Sequence, residues 1–247
     1  MPFCAICEQA VAAWLPHPQY RGGHEFTQLV GGVGSDPQHY ACPNCQSTDL
    51  ERHAWLYLSA RGIPQRLQGQ HVLHIGARLH LEQPIRRCRP AEYNTVDLAG
   101  APNPTETSRL CVDPAALPYA DEFFDLIICN QQLNLIPDVV PLLAELARCL
   151  KPAGQLLAQT FYAPHLKYTL ELVDPVPSAV AAILFGHDDG VRLFGGDIGD
   201  LFRGAGLVGE LIPHAAVLPG HDALEYGCNA QEPLFLFSKN PCPSSQS

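Results

Sequence analysis

His71-Val72-Leu73-His74-Ile75-Gly76 opens, and Tyr93-Asn94-Thr95-Val96-Asp97 closes, the stretch whose reading decides the fold. A short aliphatic run that ends in Gly reads as a buried parallel strand, and a second run that ends in an acid reads as its neighbour. Asp97 lies 21 residues after Gly76. That is close to the ~20 needed for a strand-end acid to reach the ribose of a nucleoside lying over the first strand. Arg78 stands where a full GxGxxG motif has its second Gly, so the same spacing also suits a plain βαβ unit with a surface acid.

Working outward, the C-terminal side repeats the pattern. Phe123-Phe124-Asp125-Leu126-Ile127-Ile128-Cys129-Asn130 is too apolar to have an exposed face, as expected for a central strand, and Asn130 would sit at its carboxyl edge. Asp113 follows an apolar pair and precedes a turn. Its carboxylate could accept from an adenine amino group, or it could be an N-cap or Asx-turn acid. Val139, Leu142, Leu143, Leu146 and Leu150 mark an amphipathic helix that Pro152 and Gly154 stop, and a strand follows over 155–160. A helix over 197–205 and strands over 207–212 and 233–237 complete the alternation. It predicts an α/β fold: a doubly wound, mostly parallel seven-stranded sheet over 71–240, with helices on both faces.

The 36 residues at 161–196 fall outside that repeat. They leave from the carboxyl end of a strand, so they are expected to form a substrate lid. The segment carries Tyr162, His165, Tyr168, His187, Asp188, Asp189 and Arg192. His187 is the candidate base, since an imidazole titrates near neutral pH, with Asp188 or Asp189 to orient it; Tyr162 is the second candidate. The other reading is an ordinary insertion with solvated polar residues.

Residues 1–48 carry Cys4-Ala-Ile-Cys7 and Cys42-Pro-Asn-Cys45. Two such knuckles aim four thiolates at one ion, the closed tetrahedral shell of structural Zn(II), so a small zinc ribbon is expected with no catalytic role. The 34 residues between the knuckles carry loop signals at Gly22-Gly23 and Gly31-Gly32-Val33-Gly34, and His24 and His39 are alternative ligands. The segment 49–70 reads as a docking helix and linker. Leu50, Ala54, Trp55 and Leu58 lie at helical spacing, and Glu51, Arg52 and His53 fall on the solvated or interface face.

Composition bounds the partners. The chain has 247 residues, 47% of them apolar, and a formal charge of −10. That charge argues against a nucleic-acid surface spread over the whole protein, although a local basic patch stays open. No apolar run approaches the ~18 residues of a membrane span. No cation precedes Arg21, so the charged start of a signal peptide is missing; with ten cysteines, this points to reduced thiols and a cytoplasmic location.

The succession CxxC, CPxC, ERHxxLYL, VLHIG, strand-end Asp, LPYADEFFDLIICN, LKPAG, VRLFG and EPLFLF resembles class I S-adenosylmethionine-dependent methyltransferases with an N-terminal zinc ribbon. The resemblance runs from Cys4 to about Phe237. It implies that Gly76 passes beneath the methionine part of the cofactor. Asp97 would hold the ribose hydroxyls, Asp113 the adenine, and Asn130 the methionine end through its backbone. His74, Leu98, Pro114 and Gln131 would flank them. Relatives tend to read His-Val-Leu-Glu-His after the Asn130 position, where this chain has Gln131-Gln132-Leu133-Asn134-Leu135. They tend to read Gly-Gln-Glu-Asp-His before VRLFG, where this chain has Gly186-His187-Asp188-Asp189-Gly190. A remodelled substrate pocket is expected. Three activities remain open: methyl transfer to a small molecule or biosynthetic intermediate, methylation of RNA gripped by the ribbon, and a diverged protein that binds the cofactor without methyl transfer.

Overall fold

The computed structural model describes residues 1–18, 25–100, 109–172 and 174–240. The expectations attached to Gly22-Gly23 and His24 lie outside the described residues. Seven strands form the central sheet: β1 (His71–Ile75), β2 (Glu92–Leu98), β3 (Leu110–Val112), β4 (Phe124–Cys129), β5 (Leu150–Leu157), β6 (Leu207–Ile212) and β7 (Leu234–Lys239). Their spatial order is 3-2-1-4-5-7-6. The first five are parallel, and β7 pairs antiparallel with both β5 and β6. The seven-stranded, mostly parallel sheet expected from the alternation is present. The order reverses at β1, so the crevice between β1 and β4 is the topological switch point where open α/β sheets bind ligands.

The helices cover both faces. On one side α1 (Asp49–Ala60) and α2 (Leu79–Arg87) pack on Val72, Leu126, Ile128 and Leu157. On the other, α3 (Val139–Cys149) and α5 (Ile198–Gly204) bury Leu142, Leu146, Ile198 and Phe202 against Leu73, Ile75, Val96 and Ile127. Alternate residues of β1 therefore feed opposite cores, which is why it reads as one unbroken apolar run. The strand expected over 155–160 begins earlier, at Leu150, directly after α3, and crosses a register shift against β4 between Phe124 and Leu126. Ala153 takes φ of +61° there. The helix ends at Cys149, three residues before Pro152, and Leu150, expected on the helix, opens the strand instead, because it is fully buried opposite Phe124.

Helix α1 starts with a reciprocal cap: the Glu51 N–H donates to Thr48 Oγ1 at 3.3 Å, and the Thr48 N–H donates to Glu51 Oε2 at 2.8 Å. Its polar face is an interface and not a solvated surface. Glu51, Arg52 and His53 are all buried. Arg52 donates to the carbonyls of His39, Tyr40, Ser47, Tyr226 and Gly227, and its guanidinium stacks 4.0 Å over Trp14. One side chain thus ties the N-terminal segment, α1 and the loop before β7 together. Gly227 has φ of +58°, and a Cβ there would lie 2.4 Å from the Trp14 ring. Only glycine fits this close approach.

The stretch 1–48 divides in two. The hairpin Phe3–Cys4/Gln9–Ala10 and the four thiols sit beside α1 around a small core of Ile6, Val11 and Trp14. Residues 25–34 cross to the segment after β5, where Val33 bridges Tyr162 and the Phe161 ring fills the space over Gly32, Gly34 and Gly186.

Candidate functional site

In register, Ile75 of β1 lies beside Val96 of β2 and Cys129 of β4. The next residues are Gly76, Asp97 and Asn130, so three sequence-predicted positions stand level on three adjacent strands, at the carboxyl edge that flanks the switch point. The Gly76 N–H is held by the Val96 carbonyl at 2.9 Å, and its φ of +60° is one that L side chains rarely adopt. Asp97 is 4% exposed, and Leu98 beside it is buried. Across the next strand pair, Leu98 lies opposite Val112, which brings Asp113 and Pro114 to the same edge. One Asp113 oxygen accepts from the Ala115 N–H at 2.8 Å, the Asx-turn geometry.

Asn130 and Gln131 extend the pairing of β4 with β5 beyond the strand ends. Asn130 Oδ1 accepts from the Gln159 N–H at 3.0 Å, and the Gln131 N–H donates to the Gln159 carbonyl at 2.7 Å. The Asn130 side-chain oxygen is therefore engaged within the protein. Gln131 has φ of +56°, and its buried Nε2 lacks a hydrogen-bond partner. Gln132, which the sequence reading passed over, lies on Gly76: a Cβ added to Gly76 would come 2.5 Å from Gln132 Nε2. Nothing local in the sequence signals this, because Gln132 reaches Gly76 only across the sheet.

His74 is 2% exposed, and its Nδ1 lies 2.6 Å from the Tyr93 hydroxyl. Burial, and then the nearby Arg109 charge, push its pKa down to about 3, so the ring is neutral and accepts from the phenol. A cleft of about 580 Å³ opens beside the β1 edge. Leu15, Tyr40 and Thr48 line it on one side, Arg78 and His80 on the other.

The turn after β4 meets Val191 and Arg192. Arg192 is 1% exposed and donates to the carbonyls of Leu133, Ile136 and Pro137 at 2.5–2.7 Å, while its other arm reaches Glu171 at 2.6 Å. The Val191 N–H donates to the Asn134 carbonyl at 3.0 Å. The segment after β5 is thus fastened to the turn after β4, and α4 (Ser178–Phe185) packs within it over Val30 and Ala163. Within this segment His187 and Asp188 stand on an exposed turn, 3.2 Å apart. His187 Nδ1 accepts from the Asp189 N–H at 3.1 Å, which leaves the proton of the neutral ring on Nε2. Tyr162 is 9% exposed, its ring is edge-on to Phe235, and burial raises its pKa, which disfavours the phenolate. The structure does not bring Tyr162 and His187 into one contact pair.

At the N-terminus, Cys4, Cys7, Cys42 and Cys45 converge so that their sulfurs lie within 4.8 Å of one another. The Cys4–Cys45 and Cys7–Cys42 separations are 3.8 and 3.9 Å. Four sulfurs at ~2.3 Å from a tetrahedral ion stand ~3.8 Å apart, so the donor set and its spacing fit Zn(II).

Residues 82–158 match the model of the methyltransferase domain family. This span includes β2, β3 and β4, and with them Asp97, Asp113 and Asn130. Over this span, less than a third of its length, the chain resembles a methyltransferase domain. Over 123 residues, 45% of its length, it is 33% identical to malonyl-[acyl-carrier protein] O-methyltransferase of Halorhodospira halophila; the chain covers 42% of that relative, less than half. Among solved structures, the [4+2]-cyclase SpnF shares the fold at a TM-score of 0.50 and 16% identity, covering 93% of this chain and 89% of that one. An S-adenosylmethionine-dependent methyltransferase of Mesorhizobium loti aligns at 0.46 and 13% identity, over 75% of this chain and 96% of that one. Among the described residues no helix is long and apolar enough to cross a membrane.

Proposed function

We propose that this protein is a S-adenosylmethionine-dependent methyltransferase acting on a small molecule or biosynthetic intermediate. The observation that carries the reading is the alignment of Gly76, Asp97 and Asn130 at one level around the switch point. Asp97 is the ribose ligand, since a carboxylate at a strand tip can accept from two hydroxyls. Gly76 gives backbone room, Asp113 and Pro114 border the adenine, and Leu98 and Gln131 flank the cofactor. His74 supports the edge from within the sheet through Tyr93. The cofactor supplies a methyl group already activated by its sulfonium, so the chain's task is alignment and exclusion of water.

Burial disfavours the Tyr162 phenolate, and an acceptor that arrives ionised needs no base. A carboxylate is such an acceptor, and the name of the Halorhodospira halophila relative points to the same class. The four knuckle cysteines hold a structural zinc, with no open position for chemistry. A cytoplasmic location accompanies this reading.

A second reading is cofactor binding without methyl transfer. The altered stretches 131–135 and 187–190 and the cyclase with this fold favour it. A calorimetric titration of the zinc-loaded protein with S-adenosylmethionine and S-adenosylhomocysteine, beside Asp97→Ala, tests the site. Saturable binding that weakens roughly a hundredfold in the variant is expected, because two charge-assisted hydrogen bonds are lost. No binding by the intact protein refutes both readings. Release of S-adenosylhomocysteine with carboxylate acceptors separates the first reading from the second. An RNA methyltransferase would instead show RNA binding that falls steeply with salt.

A further inference from the structure

A second cluster of metal-ligating groups lies in the seam between α1 and the segment that joins β6 to β7. His53 Nε2 and His214 Nδ1 are 2.8 Å apart, and a nitrogen of each ring and the Cys228 sulfur all fall within 4.8 Å of one another. The three residues are 1%, 6% and 2% exposed. Behind them, His53 Nδ1 meets Glu232 Oε2 at 2.7 Å, in the arrangement where a carboxylate fixes the tautomer of a ligating imidazole and turns its other nitrogen toward a metal. Tyr57 stacks on His53 at 4.1 Å and donates its hydroxyl to the Glu232 carbonyl, which holds the ring in place.

We propose that His53, His214 and Cys228 form a second, buried zinc site, with Glu232 as its outer carboxylate. Charge and hydrogen bonding both favour an ion there. Glu232 is 1% exposed, its ion-pair partner among the described residues is His53, and its Oε1 has no hydrogen-bond partner. A divalent ion held by two neutral imidazoles and one thiolate keeps one positive charge, which offsets this carboxylate. The mixed nitrogen and sulfur set is one that Zn(II) accepts. Two nitrogens at ~2.0 Å from a tetrahedral ion stand about 3.3 Å apart, so loading opens the histidine pair by about half an ångström. Bound there, the ion fastens the β6–β7 connection to α1, on the side of α1 that Arg52 also clamps.

The test is a metal count on the full-length protein, loaded with Zn(II), freed of excess metal and compared with Cys228→Ala and His214→Gln. Two equivalents per chain are expected in the wild type, one at the knuckles and one here, and each variant should hold one fewer. Far-ultraviolet circular dichroism on the same samples establishes that the variants are folded. X-ray absorption at the zinc edge on the wild type adds a readout that needs no variant: five thiolates and two imidazoles shared by two ions, against four thiolates on one. An unchanged count in a folded variant, or a wild-type spectrum with sulfur ligands alone, overturns the proposal.

Discussion

Replacing Arg52 by Met tests the reasoning about the clamp on α1. Met keeps much of the apolar stem but removes every donor, so five main-chain carbonyls, from His39, Tyr40, Ser47, Tyr226 and Gly227, lose a charged partner at once. Arg52 has 0% exposure, so water does not replace it without opening the seam. Each charged hydrogen bond is worth ~1.5–3 kcal/mol, but these bonds share one desolvated cation, so the sum overstates the loss. Deleting a buried charged group that leaves its partners unsatisfied costs about 3–5 kcal/mol, and ~4 is the expectation here. Folding entropy of ~2.1 cal/mol/K per residue converts that to a fall in melting temperature of roughly 8 °C for a chain of this length. Differential scanning calorimetry of the wild type and the variant is the assay. A fall of less than about 2 °C would mean that the carbonyls find water or each other, and that the clamp is not what joins the three segments.

Truncating Gln132 to Ala should tighten S-adenosylmethionine binding several-fold in calorimetry, because the side chain over Gly76 must otherwise move aside; weaker binding would make Gln132 a ligand and not an obstruction. Burial holds His74 neutral, with a folded pKa of about 3 against 6.5 in the unfolded chain. The unfolded state therefore binds the extra proton between these values, and the His74 contribution, complete above pH 6.5, is lost as pH falls toward 3. In His74→Gln the urea stability curve should flatten across that window, and an unchanged slope would contradict the assignment. Removing zinc from the knuckles should free a ribbon whose own core is little more than Ile6, Val11 and Trp14. Limited proteolysis should then cut within residues 1–18 or 35–48, and resistance after verified metal removal would show that α1 alone holds the ribbon.

The alternation of apolar runs and amphipathic segments determined the sheet and its helices, because each strand of a covered parallel sheet must be apolar on both faces and each helix on one. The edge positions Gly76, Asp97 and Asn130 were legible for the same reason: a strand ends where its apolar run ends, and that is the carboxyl edge. The three-residue β3 was not legible, since Leu110–Val112 is too short for a pattern and is recruited by its pairing with β2. Nor was the early start of β5, which Phe124 decides across the sheet. The polar groups are where local reading stopped. Arg52 and His53 read as a solvated or interface face of a helix, and partners for both come from residues far away in the chain, at Gly227, Glu232 and His214. Sequence by itself determined which segments are strand, helix and knuckle, through periodicity and spacing. The tertiary structure alone decided that charged residues are buried, that Gln132 covers Gly76 and that Arg192 fastens the segment after β5 to the turn after β4, because satisfying a polar group depends on who arrives beside it in space.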